Sequence, residues 1–187
     1  MNAALPPGTA LLLCLDLQPA FLRAVADGGR VLRRCQFAVS AARGLGIRVA
    51  FTEQMPQKLG ATDPSLLALV EAPEVHAKGT FSALAAGAAR PGPLIDGRGV
   101  GHLLLCGVET PVCVYQSAVD AIRTGLPVTV LADCVGARRE PDARVCLDAL
   151  ARAGAQVLPA ETVFYSILGG ADHPFFRAYT ELVKKYA

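Results

Sequence analysis

HLLLCGVETPVCVYQSAVDAIRTGLPVTVLAD, residues 102–133, is the stretch whose reading decides the fold. Within its first six residues Leu103 to Cys106 are apolar without alternation, the pattern of a strand buried on both faces. Thr110 followed by Pro111 is a helix-start signature, with Thr as N-cap and Pro at the first helical position. The same proline drives Thr110 out of the helical region, where an N-cap belongs. A helix then runs to residue 124, with Tyr115, Ala118, Val119 and Ile122 recurring on one face. Residues 126–133 return to strand. Strand, helix and strand in this order predict a parallel crossover unit.

The same alternation extends both ways. ALLLCLD (10–16) reads as a first doubly buried strand. A helical stretch follows, carrying Val31, Cys35, Phe37, Ala38 and Ala42 at near-helical intervals and ending at Gly44 and Gly46. GIRVAFTE (46–53) is the second strand, residues 54–63 a polar loop, 65–70 a short helix and 74–78 a third strand. Residues 81–88 read as loop and helical turn, and 91–101 as a Gly/Pro-rich connection. Downstream, a helix spans 141–153 with Ala143, Cys146, Leu147, Leu150 and Ala151 on one face. A strand at 155–160 and helices at 161–168 and 174–186 complete the pattern. The chain of 187 residues is one domain's length and shows no internal boundary. The expectation is an α/β domain with a mainly parallel sheet covered on both faces. In such sheets the ligand crevice lies beyond the carboxyl ends of the strands.

Composition narrows the function classes. The chain is 52% hydrophobic, yet its longest clean apolar run, 10–15, is far short of the ~20 residues a membrane helix needs. The first cation is Arg23, so no basic n-region of a signal peptide precedes it. A complete, cytoplasmic chain with no membrane partner is expected. The net charge of +2, with Arg33-Arg34 and Arg138-Arg139 as the only paired arginines, argues against a nucleic-acid partner. Apolar helix faces and low charge content point to a homo-oligomer. The six cysteines form no C-x-x-C, and no histidine sits at zinc-finger spacing. Cys14, Cys106 and Cys134 fall in apolar runs, where free cysteine behaves as a small hydrophobe in a reducing compartment.

Chemistry is therefore sought at the strand ends. Asp16 closes the first strand, where it either caps a turn or acts as a partly desolvated acid–base group. Cys113 falls in the first turn after Thr110-Pro111. Free N–H groups and the helix dipole favour an anion there, which predicts a thiol of lowered pKa. A buried structural cysteine is the alternative. Lys78 follows the third strand and gains meaning only beside a thiolate and a carboxylate. Gly97-x-Gly99-x-Gly101 precedes a strand, whereas a dinucleotide fingerprint follows one, so it reads as a turn. His76, His102 and His173 are scattered and read as structural. No Ser/His/Asp arrangement, nucleophile elbow or Walker loop is present.

Asp16, Lys78 and Cys113, the last in G-V-E-T-P-V-C-V, together resemble the isochorismatase-like cysteine hydrolases, and most closely the isochorismatase domain-containing subgroup. Thr52-Glu53-Gln54, Lys58-Leu59-Gly60 with Thr62, and Leu168-Gly169-Gly170-Ala171-Asp172-His173-Pro174 match that subgroup too. The resemblance implies a three-layer α/β/α fold with a six-stranded sheet and a triad of Asp16, Lys78 and Cys113. It implies that Cys113 attacks an amide-like carbonyl of a small molecule, with backbone N–H groups of Glu109 and Cys113 as the oxyanion hole. A cis peptide maps onto Val108–Glu109. Phe21, Gln54, Leu59, Phe81 and Tyr115 flank the strand ends and are candidate pocket residues. Metal-dependent nicotinamidases share the triad but add an Asp and two His near the second strand. Residues 52–56 here contain no histidine, so neither metal nor cofactor is expected.

Two other readings compete. A binding or assembly protein that retains the fold without catalysis would be marked by an altered triad, and all three positions are intact. A thiol sensor would need a resolving cysteine, and the nearest in sequence, Cys106, lies inside a strand.

Overall fold

The computed structural model describes residues 7–85, 95 and 99–186. Six strands form one sheet: β1 (Ala10–Leu15), β2 (Arg48–Gln54), β3 (Glu74–Lys78), β4 (His102–Val108), β5 (Val128–Gly136) and β6 (Gln156–Leu158). Their spatial order is β3-β2-β1-β4-β5-β6, and every pairing is parallel. Helices α1 (Pro19–Leu22), α2 (Gly28–Gly44), α3 (Pro56–Leu59), α4 (Pro64–Leu67), α5 (Tyr115–Arg123), α6 (Glu140–Arg152), α7 (Ala160–Leu168) and α8 (Phe176–Tyr186) connect and cover it.

The continuous apolar strand runs follow from this layering. Leu12, Cys14, Phe51, Leu104, Cys106 and Leu131 pack with Phe37 of α2, Phe164 of α7 and Tyr179 of α8 on one side. Leu11, Leu13, Ala50, Leu103, Leu105 and Val130 pack with Ala118 of α5 and Leu150 of α6 on the other. Successive strand residues point to opposite faces, so covering both faces demands apolar residues at every position.

Three expectations are corrected. The polar stretch 54–63 contains the one-turn helix α3, started by Pro56. Strand β5 continues past residue 133 to Gly136, because a register shift against β4 absorbs extra residues and lets pairing resume at Gly107↔Val135. Thr110 is not an N-cap: the chain enters α5 through a wide π-helical turn, Thr110–Val114, whose N-cap position is Glu109. The Thr110 hydroxyl donates instead to the Gly136 carbonyl at the end of β5, at 3.0 Å. Residues 81–85 form bends and a turn, in keeping with the loop reading, whereas 86–88, most of 91–101 and Gly97 of the glycine-rich turn lie outside the described residues.

The strand order reverses between β1 and β4, since β2 and β3 add on one side and β5 and β6 on the other. A crevice opens at such a switch point, beyond the strands' carboxyl ends. Asp16 directly follows β1, and Cys113 lies five residues after the last residue of β4, so these two flank the switch point.

Candidate active site

Asp16 leaves β1 in the left-handed region, at φ 52°, which places its buried carboxylate over the strand ends. Its N–H still donates to Thr52 O at 3.1 Å, so the turn remains tied to β2. A non-glycine residue in this region is uncommon and signals a constrained site. Thr52, within β2, donates its hydroxyl to Asp16 Oδ1 at 2.7 Å. That bond fixes the rotation of the carboxylate and leaves Oδ2 facing Lys78.

Lys78 is the last residue of β3, and its ammonium is the hub. Nζ lies 2.7 Å from Asp16 Oδ2, 2.6 Å from Gln54 Oε1, 3.1 Å from Phe81 O and 3.2 Å from Thr80 O. Cys113 Sγ is 3.6 Å away. The lysine side chain is only 7% exposed, so the ion pair with Asp16 is screened little by solvent. The structure thus brings Asp16, Lys78 and Cys113 to one point although 62 and 35 residues separate them from Lys78 in the chain.

Cys113 sits in the π-helical turn, 5% exposed. Its carbonyl accepts from Ser117 Oγ at 2.7 Å, and Ser117 Oγ accepts from Ala83 N at 2.9 Å. One hydroxyl therefore pins the segment after Lys78 to the turn that carries the cysteine. The expected lowering of the thiol pKa does not hold. Burial pushes the Cys113 thiol up to about 12, the Asp16 carboxylate adds to this, and the Lys78 ammonium pulls against it. A helix-start position favours an anion, but desolvation and a like charge outweigh it here. At rest Cys113 is a thiol.

The Val108–Glu109 peptide is cis. Glu109 keeps its side chain 12% exposed and pairs with Arg138 Nε at 2.8 Å. The remaining pocket candidates divide. Phe81 is 55% exposed, Leu59 is half-buried, Phe21 packs onto the core below α2, and Tyr115 packs onto the core under α5. Gln54, expected to line a pocket, is buried with its amide held between Lys78 and Gly79 O, the latter at 3.0 Å, so that amide is committed to the lysine. Thr52, Gln18 and Ser117 were missed by the sequence reading. For Thr52 the one signal is a polar residue inside a doubly buried strand run.

The histidines have ordinary partners: His76 meets Glu74 Oε1 at 2.8 Å, His102 meets Thr129 Oγ1 at 2.8 Å, and His173 Nδ1 accepts from Phe175 N at 3.1 Å. Among the described residues, no group of three or more His, Cys, Asp or Glu is placed to hold a metal ion. No described helix is long and apolar enough to cross a membrane.

The sequence profile of the isochorismatase domain matches residues 9–162, most of the chain and all the residues of this site. The chain belongs to the isochorismatase domain family. It is 33% identical over 180 residues to isochorismatase domain-containing protein 2 of Bos taurus, covering 96% of this chain and 85% of that one. It is also 33% identical to isochorismatase domain-containing protein 1 of Salmo salar over 181 residues, which is 97% of this chain but 63% of the relative's length. The isochorismatase-like fold is also seen in a solved structure described as the MAR1 ribonuclease of Caenorhabditis elegans. That structure superposes with a TM-score of 0.89 at 30% identity, over 97% of this chain and 93% of the other.

Proposed function

We propose that this isochorismatase-family chain is a cysteine hydrolase that opens an amide-type C–N bond of a small molecule through a Cys113 thioester. One observation carries the reading. A single buried ammonium, Lys78 Nζ, touches Asp16 Oδ2 at 2.7 Å and Cys113 Sγ at 3.6 Å at the switch point of the sheet.

Because Cys113 rests as a thiol, attack requires a base, and Asp16 is the carboxylate beside it. The S–H proton passes to Asp16 Oδ2 as sulfur bonds to the substrate carbonyl carbon and the carbonyl electrons move to oxygen. The backbone N–H groups of Glu109 and Cys113 receive that oxyanion. Collapse breaks the C–N bond, and Asp16 returns the proton to the leaving amine. Water then adds to the thioester, giving a proton to Asp16. The C–S bond breaks, sulfur leaves as thiolate beside the Lys78 ammonium, and Asp16 reprotonates it. Carboxylic acid and amine are the products, and the enzyme is regenerated. We propose in addition that the chain self-associates into a homo-oligomer, a state read by sedimentation of the full chain.

The test is a panel of small primary and secondary amides, quenched and followed by intact mass and peptide mapping. A transient acyl adduct on Cys113, accompanied by product and absent in Cys113→Ala, is expected. A single-stranded RNA belongs in the panel, because a similar chain is described as a ribonuclease. RNA cleavage without any amide turnover would replace the amide reading. If nothing turns over, and Cys113 alkylates no differently in Asp16→Ala and Lys78→Ala, the hydrolase reading falls to that of a binding protein.

A further inference from the structure

Gln54 does more than occupy the end of β2. Its backbone is locked by Gln18, whose Oε1 accepts from Gln54 N at 2.8 Å and whose Nε2 donates to Gln54 O at 3.1 Å. The same Gln18 amide donates to Gly60 O at 2.6 Å, which ties the loop after α3 to this point. Gln54 Nε2 is spent on Gly79 O at 3.0 Å, and this fixes the flip of the amide. The side-chain oxygen is left facing Lys78 Nζ at 2.6 Å, the shortest contact the ammonium makes.

An ammonium has three N–H donors. Around Nζ stand Asp16 Oδ2, Gln54 Oε1, the Thr80 and Phe81 carbonyls and Cys113 Sγ. Asp16 and Gln54 take two donors at short range. The carbonyls share the third at 3.1 and 3.2 Å, and the sulfur, at 3.6 Å, is the outermost contact. A thiolate on Cys113 must draw a donor from one of these acceptors. Asp16 gives up its claim only when it is protonated, so the competing neutral oxygen at short range is that of Gln54.

We infer that Gln54 is a positioning residue that sets the readiness of the nucleophile, holding one Lys78 donor away from Cys113 until the thiolate forms. The inference rests on Cys113 as the reacting thiol. The charged groups acting on that thiol are Asp16, from the end of β1, and Lys78, from the end of β3. Gln54 acts through Lys78 and adds no charge of its own. Its neutrality matters. A carboxylate in its place would set a second anion on the lysine and oppose a third on sulfur, whereas a thioether would release a donor to the sulfur.

These consequences have opposite signs, which separates them from a loss of folding. The experiment is iodoacetamide labelling of Cys113 in the full chain, read by peptide mass spectrometry from about pH 6 to 10. Gln54→Met is expected to raise the labelling rate about tenfold at about pH 8. Gln54→Glu is expected to slow labelling about tenfold at the same pH. Gln54→Asn, one methylene short of the lysine, replaces Gln54→Met should that variant unfold, and thermal unfolding checks each. Shifts in the same direction, or none, overturn the inference. Asp16→Asn and Lys78→Met serve as the separate control. If they leave Cys113 labelling unchanged, the nucleophile reading itself fails. If they change it while the Gln54 variants do not diverge, only the role of Gln54 fails.

Discussion

Cys113 ionises against two neighbours of opposite sign, and the balance gives variants of Asp16 and Lys78 different signatures. Burial and the Asp16 carboxylate push the thiol up to about 12, so at about pH 8 the thiol form predominates. Asp16→Asn removes the opposing anion, lowers the thiol pKa and is expected to raise iodoacetamide labelling at about pH 8 at least tenfold. The same change removes the base, so turnover on any amide found is expected to fall about 10²- to 10⁴-fold. Lys78→Met removes the favourable cation, and both readings fall. Labelling that slows in Asp16→Asn would show instead that the carboxylate maintains a resting thiolate. The types of these three residues and their order were legible in the sequence, but their energetics were not. A helix-start position suggested an easily ionised thiol. What decides the matter is desolvation and a carboxylate 97 residues away in the chain, and spacing reports neither.

At the scale of elements, the distance between the two strands that flank the switch point fixes the site. Gly107, on β4, has φ 117°, and a Cβ there would run into the Leu15 carbonyl at the end of β1. Gly107→Ala therefore meets both an unfavourable backbone region and a backbone atom that cannot swing aside. It is expected to cost about 2–4 kcal/mol by chemical denaturation. It should also part Asp16 from Cys113, so the effect of Asp16→Asn on labelling shrinks in the double variant; a full effect there would mean that β1 and β4 accommodate the methyl group without separating. The strands carrying these residues were readable because both their faces are buried, which turns ALLLCL of β1 and LLLC of β4 into unbroken apolar runs. The ends of the elements were harder to read. Pro56-Gln57-Lys58-Leu59 forms a helix too short and polar to show a period. Thr110 carries a capping signature, yet the end of β5 offers its hydroxyl the Gly136 carbonyl. Local preference loses to a partner that sequence separation conceals.

The whole molecule is fastened on the α2 side by a polar cluster that no single segment announces. Arg34 of α2, 14% exposed, meets Asp133 Oδ2 at 2.6 Å and Glu161 Oε1 at 3.3 Å, and donates to Tyr186 O at 3.2 Å. Asp133, in the irregular part of β5, also accepts from Ala160 N at 2.7 Å at the start of α7. One guanidinium thus joins a helix, a strand and the two last helices, and its planar fork suits several oxygens at once. Phe37, Phe164 and Tyr179 form the aromatic core beneath, and burial pushes the Tyr179 hydroxyl well above its usual range. Two contributions are mixed here, the attraction within the cluster and the cost of burying its charges. Arg34→Met keeps the aliphatic packing but strands a partly buried carboxylate, and is expected to lose about 3 kcal/mol, or about 6–12 °C in Tm. Asp133→Asn in the same background removes the stranded charge while its oxygen still accepts from Ala160 N, so the double variant is expected to recover part of that loss. Because the cluster makes none of the contacts that hold Lys78, the labelling profile of Cys113 should stay unchanged in both variants while they remain folded. If the double variant is no more stable than Arg34→Met, the loss lies in packing around α2, and the aromatic core rather than the charge cluster joins the two last helices to the sheet.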